Sequence, residues 1–217
     1  MGIIERRERE KQELRMRILD TARDLFVKEG YDAVSMRRIA EKIEYSPTAI
    51  YLHFKDKESL FAELCSTDFR RLAHSFATIA QIEDPIERIR ETGRAYIEFA
   101  LNFPNHYRLM FMTPHPVDHQ PEDIAKGNPE EDAYAFLKQA VEAALAAGRF
   151  RAEIKNADLV AQTLWAGVHG VASLQVAKHD DHWVCWQPVP ELVNTMLDSL
   201  LIGLLKSGGP KPVKEKK

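Results

Sequence analysis

Apolar residues recur at helical spacing along nearly the whole chain. The first stripe stops before Gly30, because a glycine can adopt the left-handed conformation that ends a helix. Its members are Leu14, Ile18, Ala22, Leu25 and Phe26. No stretch shows the alternation of apolar and polar residues that is typical of a β-strand. The pattern therefore predicts an all-α fold, with a frayed, charged arm in front of the first helix.

Later helices begin where a capping side chain or a proline precedes an apolar run. These signals predict helix starts at Ser46-Pro47, Asp56, Asp84-Pro85, Pro104, Asn128-Pro129, Asn156 and Val189 or Pro190. Gly148 is predicted to end the helix that starts at Asn128, and the last helix is predicted to end near Gly208. Residues 114–129 hold four of the eleven prolines, which indicates a surface loop.

Composition and charge narrow the classes of protein without choosing one. The 217 residues, of which 45% are hydrophobic, suit one or two domains with a sizeable core. The longest apolar runs are too short to span a membrane and no signal core follows the charged start, so we expect a cytoplasmic protein. Residues 1–60 hold 13 Lys and Arg against 12 Asp and Glu, and the remainder holds 17 against 21. This small asymmetry permits a nucleic-acid partner without indicating one.

Two short predicted helices joined by a three-residue turn lie between residues 35 and 54. Ser35 stands where it can cap the first helix, and Ser46 where it can cap the second. Apolar residues supply the inward face on which the pair packs, namely Ile39, Ala40, Ile43, Ile50 and Phe54. This arrangement predicts a helix-turn-helix. Similar pairs also occur in helical proteins that bind no DNA, so spacing alone leaves that alternative open.

The second helix of this pair presents an outward face suited to DNA. Since each residue of a helix advances about 100°, Thr48, Leu52 and Lys55 lie opposite Ile50, with Tyr51 at the margin. A helix fits the major groove, where Thr48 can hydrogen-bond a base edge and either Thr48 or Leu52 can contact a thymine methyl group. Side chains suited to phosphates are Tyr51, His53, Lys55 and Lys57.

The segment from Ala33 to Leu60 closely resembles the DNA-binding domain of the tetracycline-repressor (TetR) family. That family's run of Tyr, any residue, His-Phe, two residues and Lys appears here at residues 51–57. The resemblance implies that Arg37 reaches a base and that Pro47 and Thr48 meet DNA, as do Tyr51, His53 and Lys57. The DNA-binding candidates are Ser35, Arg37, Ser46, Pro47, Thr48, Tyr51, Leu52, His53, Lys55 and Lys57. Glu44 departs from the family, whose turn usually has Gly there, which predicts a strained or differently shaped turn.

Aromatic residues and methionine gather in the middle helices and can line an apolar ligand pocket. The candidates are Tyr96, Phe99, Phe103, Tyr107, Met110, Phe111, Phe136, Trp165 and His169. Large aromatics at helical spacing are also what cores are made of, so the ordinary core stays an alternative for each. The run Trp165 to Gly170 resembles the Trp, three residues, His-Gly signature of a subgroup of the TetR C-terminal domain.

Two later helices carry apolar faces that suit a dimer interface. The final helix has adjacent apolar rows too wide for one intramolecular neighbour, and glycines on the preceding helix permit close approach. The candidates are Leu164, Gly167, Val171, Leu174, Met196, Leu197, Leu200 and Leu201. Burial of both helices in one subunit's core is the alternative. In a homodimer, two recognition helices about 34–36 Å apart can enter successive major grooves of a near-palindromic operator in double-stranded DNA.

No cofactor or metal is expected. His179, Asp180, Asp181, His182 and Cys185 form a run that contains metal-ligand types, yet neighbours along a loop rarely converge on one ion. For the same reason, His115 and His119 are not expected to bind a metal ion. Cys65 and Cys185 are too few for a disulfide framework.

The sequence therefore predicts an all-α protein with three parts. Residues 1–57 form the arm and a three-helix helix-turn-helix DNA-binding domain, residues 58–206 a helical ligand-binding and dimerisation domain, and residues 207–217 a disordered tail. The predicted function is a sequence-specific transcriptional regulator, a repressor released from its operator by a small, mostly apolar ligand; activation stays open. The rivals are a helical enzyme that uses His169 with a carboxylate as general base, and a scaffold that binds protein through its last helix.

Overall fold

A computed structural model describes residues 2–114 and 125–206 of the chain. Their α-helices are α1 (Ile3–Glu29), α2 (Met36–Lys42), α3 (Pro47–Tyr51), α4 (Lys57–His74), α5 (Pro85–Asn102), α6 (Pro104–Phe111), α7 (Ala133–Ala146), α8 (Ala157–Lys178) and α9 (Val189–Leu204), with a 3₁₀ turn at Ile79–Gln81. Within these residues the sole β pairing is an isolated bridge between Phe150 and Leu205. The all-α prediction is confirmed. No described helix has the length and apolarity needed to cross a membrane.

The chain divides into two compact units. Unit 1 contains residues 1–71 and 103–125, and unit 2 contains residues 72–102 and 126–217. Unit 1 thus combines α1, α2, α3, α6 and most of α4, whereas unit 2 combines α5, α7, α8 and α9. The domain boundary that the sequence suggests after residue 57 stays a prediction, since compactness alone does not say which part folds by itself.

Most helix boundaries lie where the capping residues in the sequence predict them. Gly30 follows the end of α1 with a φ of 85°, and the carboxylate of Asp84 accepts a hydrogen bond from the Ile86 amide at the start of α5. Asn156 caps α8 through the Leu159 amide. Because each of these residues satisfies a backbone group that the helix end leaves unpaired, the local sequence decides where the helix begins or ends.

Two local predictions were wrong. The basic segment in front of the first helix is not a frayed arm, because α1 already begins at Ile3. Ion pairs one turn apart support this extension, as between Arg6 and Glu10. The helix expected from Asn128 begins at Ala133 instead, because Asp132 caps it through the Tyr134 and Ala135 amides. The predictions for His115, His119 and residues 207–217 concern positions outside the described residues.

Unit 1 has a core of its own that supports the short helices. Residues from α1, α2, α3, α4 and α6 form one apolar cluster. Its fully buried members include Ile18, Phe26, Ile39, Ile50 and Phe61. In the same unit the carboxylate of Asp68 accepts two hydrogen bonds from Arg23, at 3.0 and 2.9 Å, and lies 2.8 Å from Nδ1 of His106. These contacts tie α1, α4 and α6 together.

Unit 2 is a helical bundle in which α8 packs against α5, α7 and α9. Close approach depends on two glycines. A Cβ at Gly93 of α5 would lie 2.9 Å from Cδ2 of Leu197, and one at Gly167 of α8 would lie 2.6 Å from Cδ1 of Leu200. Both distances are shorter than van der Waals contact, so these positions let α9 lie directly on its neighbours.

Candidate nucleic-acid interface

The helix-turn-helix of unit 1 is built as its caps predict. The hydroxyl of Ser35 accepts a hydrogen bond from the Arg38 amide at 3.1 Å, and that of Ser46 accepts one from the Ala49 amide at 3.2 Å. Ile50 is the buried residue of α3. Because Ile50 packs inward, Thr48 and Tyr51 of this five-residue helix are left exposed to solvent.

The outward face of α3 is open to solvent. Tyr51 is 54% exposed and Leu52 is 78% exposed. Single exposed apolar side chains are common on protein surfaces, so what marks this face is that two of them adjoin the polar candidates of the same short helix. The other candidates with exposed side chains are Ser35, Arg37, Ser46, Pro47, Thr48 and Lys55. Eight of the ten DNA-binding candidates thus have exposed side chains, and His53 and Lys57 are half-buried.

Arg15 holds the segment of chain that follows α3. Its guanidinium donates to the backbone carbonyl of His53 at 2.9 Å, pairs with Glu63, and lies 4.4 Å from the ring centre of Phe54. Since Glu63 belongs to α4 and Arg15 to α1, two helices hold the chain that leaves α3. Sequence reasoning missed this residue, because nothing in its spacing distinguishes it from the other arginines of α1.

His53 is half-buried, and its surroundings favour the neutral form of its ring. Burial lowers the pKa of its imidazole, and the positive charges of Arg15 and Lys11 lower the pKa further. Its Nδ1 atom is buried and has no hydrogen-bond partner. A neutral ring can donate one hydrogen bond to a phosphate but contributes no charge, so His53 gives less to phosphate binding than its residue type suggests.

Lys57 is held by unit 1 itself. Its ammonium donates to the backbone carbonyl of Tyr31 at 3.0 Å and lies 4.1 Å from the centre of the Tyr31 ring. Tyr31 packs edge-on against the core residue Phe61. Lys57 therefore braces the segment between α1 and α2, and its removal would disturb the fold of this unit as well as any phosphate contact.

The turn between α2 and α3 shows the departure that Glu44 predicted. Glu44 has a φ of 62°, and it is the non-glycine residue with positive φ among the described residues. A side chain in this conformation costs about 1–3 kcal/mol, which glycine avoids. Tyr45, next to it, is exposed and lies 5.8 Å from the Arg17 guanidinium. Neither residue was a sequence candidate, although both border the exposed face.

In unit 2, hydrogen bonds join three ring side chains, those of Trp165, Tyr96 and His169, which we call the aromatic group. Nε1 of Trp165 donates to the hydroxyl of Tyr96 at 3.2 Å, and that hydroxyl lies 3.1 Å from Nδ1 of His169. Burial lowers the pKa of His169, so the neutral ring is favoured at pH 7. The spacing of four residues between Trp165 and His169 brings both rings to Tyr96, because residues i and i+4 share a helix face.

The nine pocket candidates are divided between the two units. In unit 2, Tyr96, Phe99 and Phe136 are buried, His169 is half-buried and Trp165 is partly exposed. In unit 1, Tyr107 and Met110 are buried, whereas Phe103 and Phe111 are half-buried. The ring of Phe103 lies 3.9 Å below the Arg71 guanidinium. Their role as a pocket stays a prediction.

Half of the predicted dimer residues belong to the core of unit 2. Leu164, Val171, Leu197 and Leu201 are buried within the single chain, so they have almost no surface to offer to a partner. Gly167 is covered by Leu200 and Met196 of its own chain. Leu174, by contrast, is 51% exposed. Sequence reasoning missed Leu159 and Ile202, which are 63% and 74% exposed, because apolar residues surround them on every side of the helical pattern.

No group of three or more His, Cys, Asp or Glu side chains within residues 2–114 and 125–206 could hold a metal ion. In the run near the end of α8, Nε2 of His179 lies 2.9 Å from its neighbour Asp180, and both are exposed. Cys185 is exposed as well. These side chains behave as a solvated loop.

Two family profiles match this chain. Residues 18–64 match bacterial regulatory proteins of the tetR family, and residues 89–200, more than half of the chain, match the tetracyclin repressor-like C-terminal domain. The HTH-type transcriptional repressor Rv1474c of Mycobacterium tuberculosis is 44% identical over 59 residues, which are 27% of this chain and 32% of that protein. The chain thus aligns with about a third of the length of this curated relative.

Solved structures match over most of the chain. A TetR family transcription regulator from Marinobacter aquaeolei VT8 has a TM-score of 0.71 at 17% identity, over 93% of this chain and 98% of that one. A protein of unknown function from Rhodococcus sp. RHA1 has a TM-score of 0.68 at 25% identity, over 89% and 96%. The first likeness concerns the fold alone.

Proposed function

The chain belongs to the tetR family of bacterial regulatory proteins, and from this we propose that it is a sequence-specific, DNA-binding transcriptional regulator without enzymatic activity. In the complex with double-stranded DNA, α3 lies in the major groove. The exposed face of α3 carries this proposal, because Tyr51 and Leu52 project large side chains into solvent from a helix that Ile50 anchors. We expect the protein to act in the cytoplasm, where it meets DNA.

Selection of genomic fragments by the purified protein, followed by sequencing, tests this proposal directly. We expect a near-palindromic operator, since each subunit of a homodimer supplies one reading helix. Binding to that operator, followed by fluorescence anisotropy, should weaken steeply as salt rises because phosphate contacts release counterions. A protein that recovers no enriched sequence and ignores duplexes at low salt would not be this regulator.

Single substitutions separate phosphate contacts from base contacts. Lys55→Ala should weaken binding to every duplex and reduce the salt slope by about 1; Lys155→Ala, which removes an exposed lysine from unit 2, is the matched control. Thr48→Ala and Arg37→Ala should change which operator bases are preferred. Arg37 is already paired with Glu41 at 3.0 Å on the free surface, so DNA must displace that carboxylate. Equal losses on all sequences would contradict a base-reading role.

Homodimerisation is proposed through the outer faces of α8 and α9. Leu174 and Ile202 expose apolar side chains there, and Gly170 and Gly203 have nothing within 4 Å of an added Cβ. Bare glycine backbone beside exposed leucine and isoleucine suits close packing against a second pair of helices. A second copy of the chain would complete a four-helix interface.

Sedimentation velocity tests the dimer with one matched pair of variants. Ile202→Glu places a charge in the proposed interface and should shift the protein toward monomer and weaken operator binding. Ile4→Glu changes an isoleucine of α1 that is also largely exposed and should leave the dimer intact. If Ile202→Glu sediments like the unchanged protein, α9 does not form the interface.

A small, mostly apolar effector is proposed to bind the aromatic group of unit 2 and to release the protein from its operator. Tyr96 contacts both Trp165 and His169 there, and these three polar groups are the ones proposed to meet the effector; Phe99 and Phe136 are buried in the same unit. If DNA and effector prefer different conformations, each lowers the affinity for the other by the same factor. Titration of the operator complex with metabolite fractions measures that factor; a ligand that binds without changing operator affinity would contradict release.

A further inference from the structure

One amide in the core of unit 2 has no partner. Gln175 of α8 is 5% exposed, and its Nε2 atom is buried without a hydrogen-bond acceptor. Most buried polar groups in folded proteins are paired, because an unpaired donor loses its bonds to water and gains none. A leucine of similar size would be more stable there, so an unpaired glutamine points to a group that is not part of the chain.

Gln175 lies on the buried face of α8. Val168, Val171 and Ala172 precede it by seven, four and three residues, which are the spacings of side chains on one helix face, and all three are buried. The amide is thus the polar member of an apolar row. Such a combination, a mostly apolar surface with one placed donor, is typical of sites for small ligands.

The charges of unit 2 restrict what can pair with this amide. The buried polar or charged residues described in the chain are Arg23, Ser66, Asp68, Thr92 and Gln175, and the two ions among them belong to unit 1. His169 is favoured in its neutral form. The half-buried arginines of unit 2 are already engaged, Arg88 with the Ile82 carbonyl and Arg90 with Asp198. A carboxylate that entered the interior of unit 2 would meet no fully buried cation among the described residues, and an unpaired buried charge is strongly unfavourable.

We propose that the side-chain amide of Gln175 donates a hydrogen bond to an effector oxygen, and that the effector is a neutral molecule with an apolar body and a carbonyl, ether or hydroxyl acceptor. This rests on the proposed effector binding in unit 2. It adds to that proposal a specificity-determining residue and a class of ligand that excludes free carboxylates.

Three probes of matched shape test the class of ligand. Acetophenone carries a neutral carbonyl, ethylbenzene lacks it, and benzoate replaces it with an anion. With full-length protein whose glutamine side chains are labelled with ¹⁵N, we expect acetophenone to shift the Gln175 amide signal and to bind about tenfold more tightly than ethylbenzene. Benzoate should not bind.

Gln175→Leu is the decisive variant, and Gln162→Leu on the same helix is its control. Gln162 is exposed and donates to the Tyr134 hydroxyl at 3.5 Å. Gln175→Leu should raise the melting temperature by a few degrees, identify the Gln175 signal by its loss, and abolish the preference for acetophenone over ethylbenzene. Gln162→Leu should do none of these.

The proposal is overturned if Gln175→Leu keeps the acetophenone preference, if benzoate binds as tightly as acetophenone, or if no probe moves the Gln175 signal, as for an amide satisfied by a buried water. The probe comparison on unchanged protein does not require any variant to fold. Operator binding without probe is measured in parallel. Its absence would contradict the proposed function as a regulator, whereas the probe experiments would still show whether Gln175 contacts a ligand.

Discussion

The two units of this chain bury polar groups in opposite ways. Unit 1 encloses an ion pair, in which Asp68 receives both hydrogen bonds of the Arg23 guanidinium and also contacts His106. Unit 2 encloses uncharged groups, Thr92 and Gln175. A buried ion pair tolerates little displacement, because either ion alone would be costly. The ion pair therefore restrains the unit that presents α3, whereas the polar groups buried in unit 2 carry no charge.

Thiol reactivity gives the largest expected difference between the units. Cys65 of unit 1 is buried, and burial with the nearby charge of Asp68 raises its pKa to about 12, while Arg23 opposes the shift. Cys185 of unit 2 is exposed. Because the thiolate is the reactive form, Cys185 should react with a disulfide reagent at pH 8 more than about a hundredfold faster than Cys65. Absorbance stopped-flow on Cys65→Ser and Cys185→Ser measures each rate; comparable rates would mean that unit 1 opens readily.

Loss of the buried ion pair should be the largest effect on stability. Asp68→Ala leaves Arg23 buried without its main partner and should lower the free energy of unfolding by about 3–5 kcal/mol. Thr92→Val in unit 2 removes a hydroxyl that donates to the Arg88 carbonyl at 2.7 Å, and should cost less than about 1 kcal/mol. Urea unfolding gives both values. Similar losses for the two variants would remove the contrast between the cores.

Two glycines of α8 differ in what covers them, since Gly167 lies against Leu200 and Met196 whereas Gly170 has open space beside it. Gly170→Ala meets nothing within 4 Å and should stabilise the subunit by about 0.5–1 kcal/mol, because glycine is a poor helix former. Gly167→Ala would place its Cβ 2.6 Å from Leu200 and should cost about 1–3 kcal/mol. Both are compared by urea unfolding in the Ile202→Glu background, so that dimerisation does not contribute. Equal effects would place both glycines in the same environment.

Relief of strain in the turn before α3 should have the smallest effect. Glu44→Gly removes a side chain from the left-handed region, where φ is 62°. It also increases the conformational entropy of the unfolded chain, which lowers stability. The net gain in unfolding free energy is expected to stay below about 1 kcal/mol. Lys42→Gly, inside α2, should instead destabilise by about 0.5–1 kcal/mol. A loss on Glu44→Gly, found by thermal unfolding, would show that this turn is not strained.

Much of unit 1 could be predicted, because its signals are local. Ser35 and Ser46 cap helices at the positions where the sequence places them, and Ile50 alone anchors α3, so the outward direction of Thr48 and Tyr51 follows from helix geometry. The anchoring of Lys57 on Tyr31 was not predictable. The two residues are far apart in sequence, and only the folded chain brings them together.

In unit 2 the sequence determined that the helices exist and where most of them begin, through caps, prolines and the period of apolar residues. It also supplied the resemblance that leads to the family. Only the tertiary structure decided which leucines lie inside the chain, such as Leu164 and Leu197, and which remain outside, such as Leu174. When apolar residues occupy most sides of a helix, periodicity no longer marks a single inner face; packing against the other helices selects it, and that same packing left the amide of Gln175 without a partner.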